Sequence, residues 1–220
     1  MPGARNTGAE LHGNGRGERA EPEESRIAVK AGSGEKSNDL HSTVEEAFES
    51  VATEKGVLLY SVELSDIVPQ ESIRLKCQVP LCEYYEVCKV CPPNIPTVIQ
   101  FRDALKSYSK AFLVVLREKI KDLDDYRADF SAELKLSGAV AELELRAFQM
   151  GYYQALGLCV GGCKLCSKCT PPGSACRHPF KARPSPEGFG IDITSLARKA
   201  GAMVEWPPKQ YINFLGLILL

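Results

Sequence analysis

Cysteine carries the chemistry of this chain. Nine cysteines occur in 220 residues, and eight of them fall into two blocks. In the first block Cys77, Cys82, Cys88 and Cys91 are separated by four, five and two residues and run into Pro92-Pro93. In the second, "CKLCSKCTPPGSAC", Cys163, Cys166, Cys169 and Cys176 are separated by two, two and six residues. A Cys-x2-Cys-x2-Cys run lets three thiolates reach three irons of one cubane, while the fourth ligand comes from farther along or from another loop. The last gap is six where the bacterial ferredoxin run has three, and "CRHP" stands where "CP" would be. Cys176 therefore serves either its own loop or a centre shared with the first block.

Zinc is the competing metal. A four-thiolate zinc site needs only two cysteine pairs, and Cys88/Cys91 with Cys163/Cys166 would supply them. The ribbon separation of about 15 to 20 residues is absent, however, and zinc gives no reason for a third evenly spaced thiol. The spacing favours an iron–sulfur cluster of the [4Fe-4S] type, with zinc as the alternative and thiol or disulfide redox chemistry as a third reading. Cys159, the ninth thiol, sits at the end of an apolar helical pattern and reads as a small buried hydrophobe.

Other chemistry is thin. Of three histidines, His12 and His41 lie in or beside a polar tail, and only His178 is near the thiols. The "GFG" of "SPEGFGID" lacks the lysine and preceding strand of a phosphate loop. Residues 163–200 hold seven Lys/Arg against Glu187 and Asp192. Such a surplus suits an anionic metal centre, an acidic docking partner, or a solvated face. The alternative to an electron carrier is a cluster-containing reductase or activator with its own small-molecule site between the two thiol loops. There Arg177, His178 and Arg183 are the residues expected to act as anion or proton donors beside the cofactor. Tyr84 and Tyr85 lie inside the first block, where they can shield it.

The elements that must position these loops follow from pattern. Residues 1–40 are rich in Gly, Glu, Arg, Ser and Asn without periodicity, and read as a disordered tail before a domain over 41–220. "STVEEAFESVATEKG" reads as a capped helix closed by Gly56, "VLLYSVEL" as a strand, and "ESIRLKC" as an extended piece delivering Cys77. A helix follows over "TVIQFRDALKSYS", its positive end available to the Cys88 and Cys91 thiolates. "AFLVVL" is a buried central strand. A long helical pattern runs from "DDYRADF" through "FQMGYYQALGL", with a weak point at Ser137-Gly138. "SPEGFGIDITSLARKAG" gives a turn and a short helix, and "MVEWPPKQYINFLGLILL" two closing strands. The expected fold class is thus α/β: a single domain with a small mixed sheet, flanking helices and two cysteine-rich metal loops.

Composition narrows the partners. With 27 Lys+Arg against 28 Asp+Glu there is no basic footprint for nucleic acid. No apolar run is long enough to span a bilayer, and the N-terminal stretch has no hydrophobic signal core, so neither membrane nor export is expected. Nine thiols in a chain with no export signal point to metal or redox chemistry in the cytoplasm, beside a redox partner protein.

Taken together, "RLKC", "CPPNIPT", "FQMGYYQALGL" and "CKLCSKC" followed by "CRHP" and "RPSPEGFGIDI" resemble the predicted metal-binding proteins grouped as domain of unknown function 2284. These are small cysteine-rich proteins of archaea and anaerobic bacteria. The resemblance runs from about residue 42 to the C-terminus. It implies metal binding, of iron–sulfur type, by Cys77, Cys82, Cys88, Cys91, Cys163, Cys166, Cys169 and Cys176. It implies no established reaction.

Overall fold

The computed structural model describes residues 43–120, 130–205 and 207–220. The tail expected over residues 1–40, His12, His41 and the "DDYRAD" start of the long helical pattern lie outside the described residues.

Thr43 opens the first helix with a capping box. Its hydroxyl accepts from the Glu46 amide while the Glu46 carboxylate accepts from the Thr43 amide. Helix α1 spans Val44–Lys55 and ends at Gly56 in the left-handed conformation, as expected. Strand β1 (Leu58–Val62) follows. The stretch "ESIRLKC" is not extended: it forms a single helical turn, α2 (Glu71–Arg74), continued by a 3-10 turn over Leu75–Cys77. Alternation over so few residues fits one helical turn as well as a strand, and tertiary contacts decide. The turn lets the Arg74 guanidinium donate to the carbonyls of Pro96 and Gly188 at 2.5 and 3.1 Å.

Helix α3 (Val98–Leu105) starts at a second capping box, Thr97 with Gln100, and feeds strand β2 (Ala111–Lys119). Helix α4 (Ser131–Gln149) is unbroken at Ser137-Gly138. Leu136, Ala139, Val140, Leu143 and Ala147 fall on one face and are fully buried, and this offsets the roughly 1 kcal/mol that a mid-helix glycine costs. The helical reading of "GYYQALGL" is corrected: Gly151 has φ 96°, which ends the helix, and Leu156–Cys159 form strand β3. Cys159 therefore sits on a strand. Helix α5 (Ile193–Lys199) and strand β4 (Tyr211–Leu219) complete the chain. Among the described residues only one closing strand forms, and Pro207 and Pro208 cannot donate to a ladder.

The four strands form one sheet in the order β1-β2-β4-β3, every pairing antiparallel. Residues of β2 and β4 alternate between its faces. Phe112, Val114, Leu116, Phe214 and Ile218 pack with α1 and α4. Ala111, Leu113, Val115, Leu215, Leu217 and Leu219 pack with α3, α5 and the Phe189–Ile193 stretch. This is a three-layer α/β arrangement around a sheet buried on both sides. A Cβ at Gly157 would stand 2.6 Å from Val140 Cγ1 and 2.8 Å from a Glu144 carboxylate oxygen, so glycine there lets α4 lie close against β3. That close contact matters because β3 delivers the second cysteine loop. All described residues fall in one compact unit, Asn38–Leu220. No helix among the described residues is long and apolar enough to cross a membrane.

Candidate metal centre

The first loop is a chain of tight turns. The amides of Cys82, Tyr85, Cys88, Cys91 and Asn94 donate to the carbonyls of Cys77, Cys82, Tyr84, Cys88 and Cys91, at 2.9–3.1 Å. Two of these bonds, Cys82 to Cys77 and Cys91 to Cys88, bring one cysteine back toward the one before it. Asn94 Nδ2 donates to the Cys88 carbonyl at 3.0 Å and fixes the "CKVC" turn. Cys88 and Cys91 are buried, whereas Cys77 and Cys82 are half-buried.

The second loop is closed at its base. The Cys159 amide, at the end of β3, donates to the Pro184 carbonyl at 2.9 Å, so residues 160–183 form one excursion from the sheet edge. Two ion pairs hold it to α4. Lys164 meets Glu133, with side chains 11% and 23% exposed. Arg183 Nε and Nη2 donate to both oxygens of Glu144, at 2.9 and 2.6 Å. Glu144 also accepts the Gly157 amide of β3. The remaining Arg183 N–H groups reach the carbonyls of Pro179, Phe180 and Ala182 at 2.9–3.3 Å. All five donors of the guanidinium are thus engaged. Arg183, expected to face a cofactor, is instead the clamp that shapes residues 179–182.

The two loops meet. Lys89 Nζ donates to the Pro171 carbonyl at 2.8 Å. The Tyr84 ring lies against Gly162, where a Cβ would collide with Tyr84 Cγ and Cδ2, so only glycine fits. Lys164 Nζ stands over the rings of Tyr84 and Phe130 at 5.4 and 4.9 Å. The Cys88 sulfur lies within hydrogen-bonding reach of the thiols of Cys163 and Cys91. Cys163 first and then Cys91 donate to it and drive Cys88 down toward thiolate, and the same sharing pushes Cys163 and Cys91 up. Burial raises the Cys77 thiol, with the nearby Cys82 adding to it.

Between the loops opens a cavity of about 180 Å³. Five thiols line it: Cys88 from the first loop, and Cys163, Cys166, Cys169 and Cys176 from the second. Lys89, Lys168, Arg177 and His178 also line it, together with Tyr84, which shields it as expected. The His178 amide donates to Cys176 Sγ at 3.3 Å, and Arg177 Nη1 donates to the Lys168 carbonyl at 2.9 Å. Cys77, Cys82 and Cys91 do not line the cavity. Among the described residues no three such donors are arranged around a single point as for one bare ion. Cys159 is buried at the end of β3, and burial pushes its thiol up to about 12, in keeping with a small core residue. The amides at the start of α3 are engaged by their own capping residues.

Sequence patterning did not find Glu133 or Glu144, since nothing local marks a helix glutamate as the partner of a loop cation far along the chain. It also missed Glu187. Glu187 is half-buried, with one carboxylate oxygen shut off from solvent and lacking a hydrogen-bond partner among the described residues, and it lies near enough to Cys77 to raise that thiol.

No curated protein and no solved structure matches the chain. A family model matches residues 60–220, which contain both cysteine loops, both α4 clamps and every strand but the first two residues of β1. The chain belongs to that family, described as predicted metal-binding protein (DUF2284).

Proposed function

We propose that the eight cysteines hold one or two [4Fe-4S] clusters, and that the protein works in the cytoplasm in electron transfer or as a redox accessory to a partner oxidoreductase. The observation that carries this reading is the cavity walled by five thiols from both loops. Four thiolates around one zinc, at about 2.3 Å each, leave no void between them. A space of about 180 Å³ is several times the roughly 30 Å³ share of a water molecule and suits a group of several atoms. Cys163, Cys166 and Cys169 have the spacing for three corners of a cubane, and Cys176 or Cys88 can supply the fourth ligand. When bound, such a cluster takes up and releases single electrons.

The chain's own residues fit that role. The His178 amide pointing at Cys176 Sγ stabilises a thiolate there. Lys89, Lys168 and Arg177 line the cavity with positive charge, which compensates an anionic centre and favours its reduced form. An enzymatic site for an organic anion is less well served, because Arg183 is committed to Glu144 and only Arg177 and His178 remain as donors.

One observation favours zinc as the second reading. Cys88 lies within reach of Cys91 in its own loop and of Cys163 in the other, so thiols of both loops already approach one another as a tetrahedral site spanning them would require. Oxygen-free purification followed by dithionite reduction separates the two. The electron-transfer reading expects a visible charge-transfer band that bleaches reversibly and a paramagnetic signal in the reduced state. A colourless protein with no signal before or after reduction would overturn it.

A further inference from the structure

The second cysteine loop divides its cations into two groups. Residues 163–186 contain five Lys/Arg and no Asp or Glu. Lys164 and Arg183 are spent on the α4 glutamates. Lys168, Arg177 and Lys181 have no carboxylate partner among the described residues and are exposed. Between Arg177 and Lys181 in the chain comes Phe180, 87% exposed, the most exposed large apolar side chain among the described residues. Val87, on the wall of the thiol cavity, is 58% exposed.

The position of Phe180 is built. Arg183 donates to the carbonyls of Pro179 and Phe180 at 3.3 and 3.2 Å, and the amides of Lys181 and Ala182 donate to the His178 carbonyl at 3.0 and 2.8 Å. The ring therefore projects from backbone fixed on both sides, although the core has no place for it. An aromatic anchor held in advance, in a loop that also carries three exposed cations without carboxylate partners, is the make-up of a protein-binding hot spot with electrostatic steering.

We infer that the Lys168–Lys181 face, centred on Phe180, docks a small acidic electron-carrier protein over the mouth of the thiol cavity. Charge complementarity selects an acidic surface, and the apolar anchor selects a protein over a nucleic acid. Three exposed cations in one loop do not make the stripe that tracks a phosphate backbone. The inference rests on the electron-transfer reading and names the face through which electrons would pass. Cys166, Cys169 and Cys176 lie in the same loop, so a carrier seated there comes close to the metal centre.

The test is isothermal titration of the metal-replete protein, without oxygen, using a plant-type [2Fe–2S] ferredoxin as the acidic probe. The expected result is binding at about 0.02 M salt that weakens strongly at about 0.3 M. Phe180→Ser and Lys181→Glu should each weaken it at least about fivefold while metal content stays at the wild-type level. No binding at low salt, both variants binding like wild type, or duplex DNA binding as well as the ferredoxin would overturn the inference. If dithionite fails to reduce the metal centre while Phe180-dependent, salt-sensitive binding persists, the electron-transfer reading falls and the docking face stands.

Discussion

Replacing Glu144 by Ala tests whether α4 holds the second cysteine loop in place. The side chains of Arg183 and Glu144 are only 10% and 20% exposed, and two N–H groups meet two carboxylate oxygens at 2.6 and 2.9 Å. Removing one partner of such a pair leaves a buried charge without compensation, a loss of about 3–5 kcal/mol. The Gly157 amide loses its acceptor in the same step. For a domain of this size the loss lowers Tm by roughly 6–20 °C. The assay is thermal unfolding followed by circular dichroism, with metal retention measured alongside, because residues 179–182 lose the guanidinium that shapes them. Lys110→Ala is the control: its contact with Glu45 at 2.6 Å joins side chains each 41% exposed, and pairs of that kind contribute about 0–1 kcal/mol. A Glu144→Ala effect no larger than the control would refute the clamp.

Other perturbations probe different links. Gly162→Ala forces a Cβ into the Tyr84 ring and should cost about 1–3 kcal/mol, with loss of bound metal as the loops part. Cys159→Ala should leave metal content unchanged and cost about 1 kcal/mol by truncating a buried side chain; a drop in metal would make it a ligand. Burial pushes the Glu187 carboxyl up. Between its unfolded and folded values the folded state keeps a proton that the unfolded chain has lost, so its contribution to stability falls as pH rises through that window. Glu187→Gln should therefore flatten the pH dependence of Tm above the ordinary carboxylate range and stabilise the protein near neutrality; an unchanged profile would contradict the assignment.

What was legible in the sequence was mostly local. Thr43 with Glu46 and Thr97 with Gln100 are capping boxes whose residues lie three apart, so pattern alone reveals them. The run Ala111–Leu116 is apolar because both faces of β2 are covered, and this too can be read directly. The C-x2-C-x2-C spacing is equally local, and its three thiols do line one cavity. Errors arose where distant residues decide. "ESIRLKC" turns because Arg74 reaches carbonyls at Pro96 and Gly188, and "LGLC" is a strand because β4 offers it a free edge. Arg183 shows the same limit: next to a cysteine block an arginine suggests an anion site, whereas its pairing with Glu144, 39 residues earlier in the chain, is not marked by any local pattern.

The central claim is that the two loops enclose an iron–sulfur centre. Quantitation of iron, acid-labile sulfide and zinc per chain on protein purified without oxygen tests it most directly. The account predicts iron and sulfide in equal amounts, about four or eight of each per chain, with little zinc. Zinc at about one or two per chain without sulfide would contradict it and make the eight cysteines a structural scaffold.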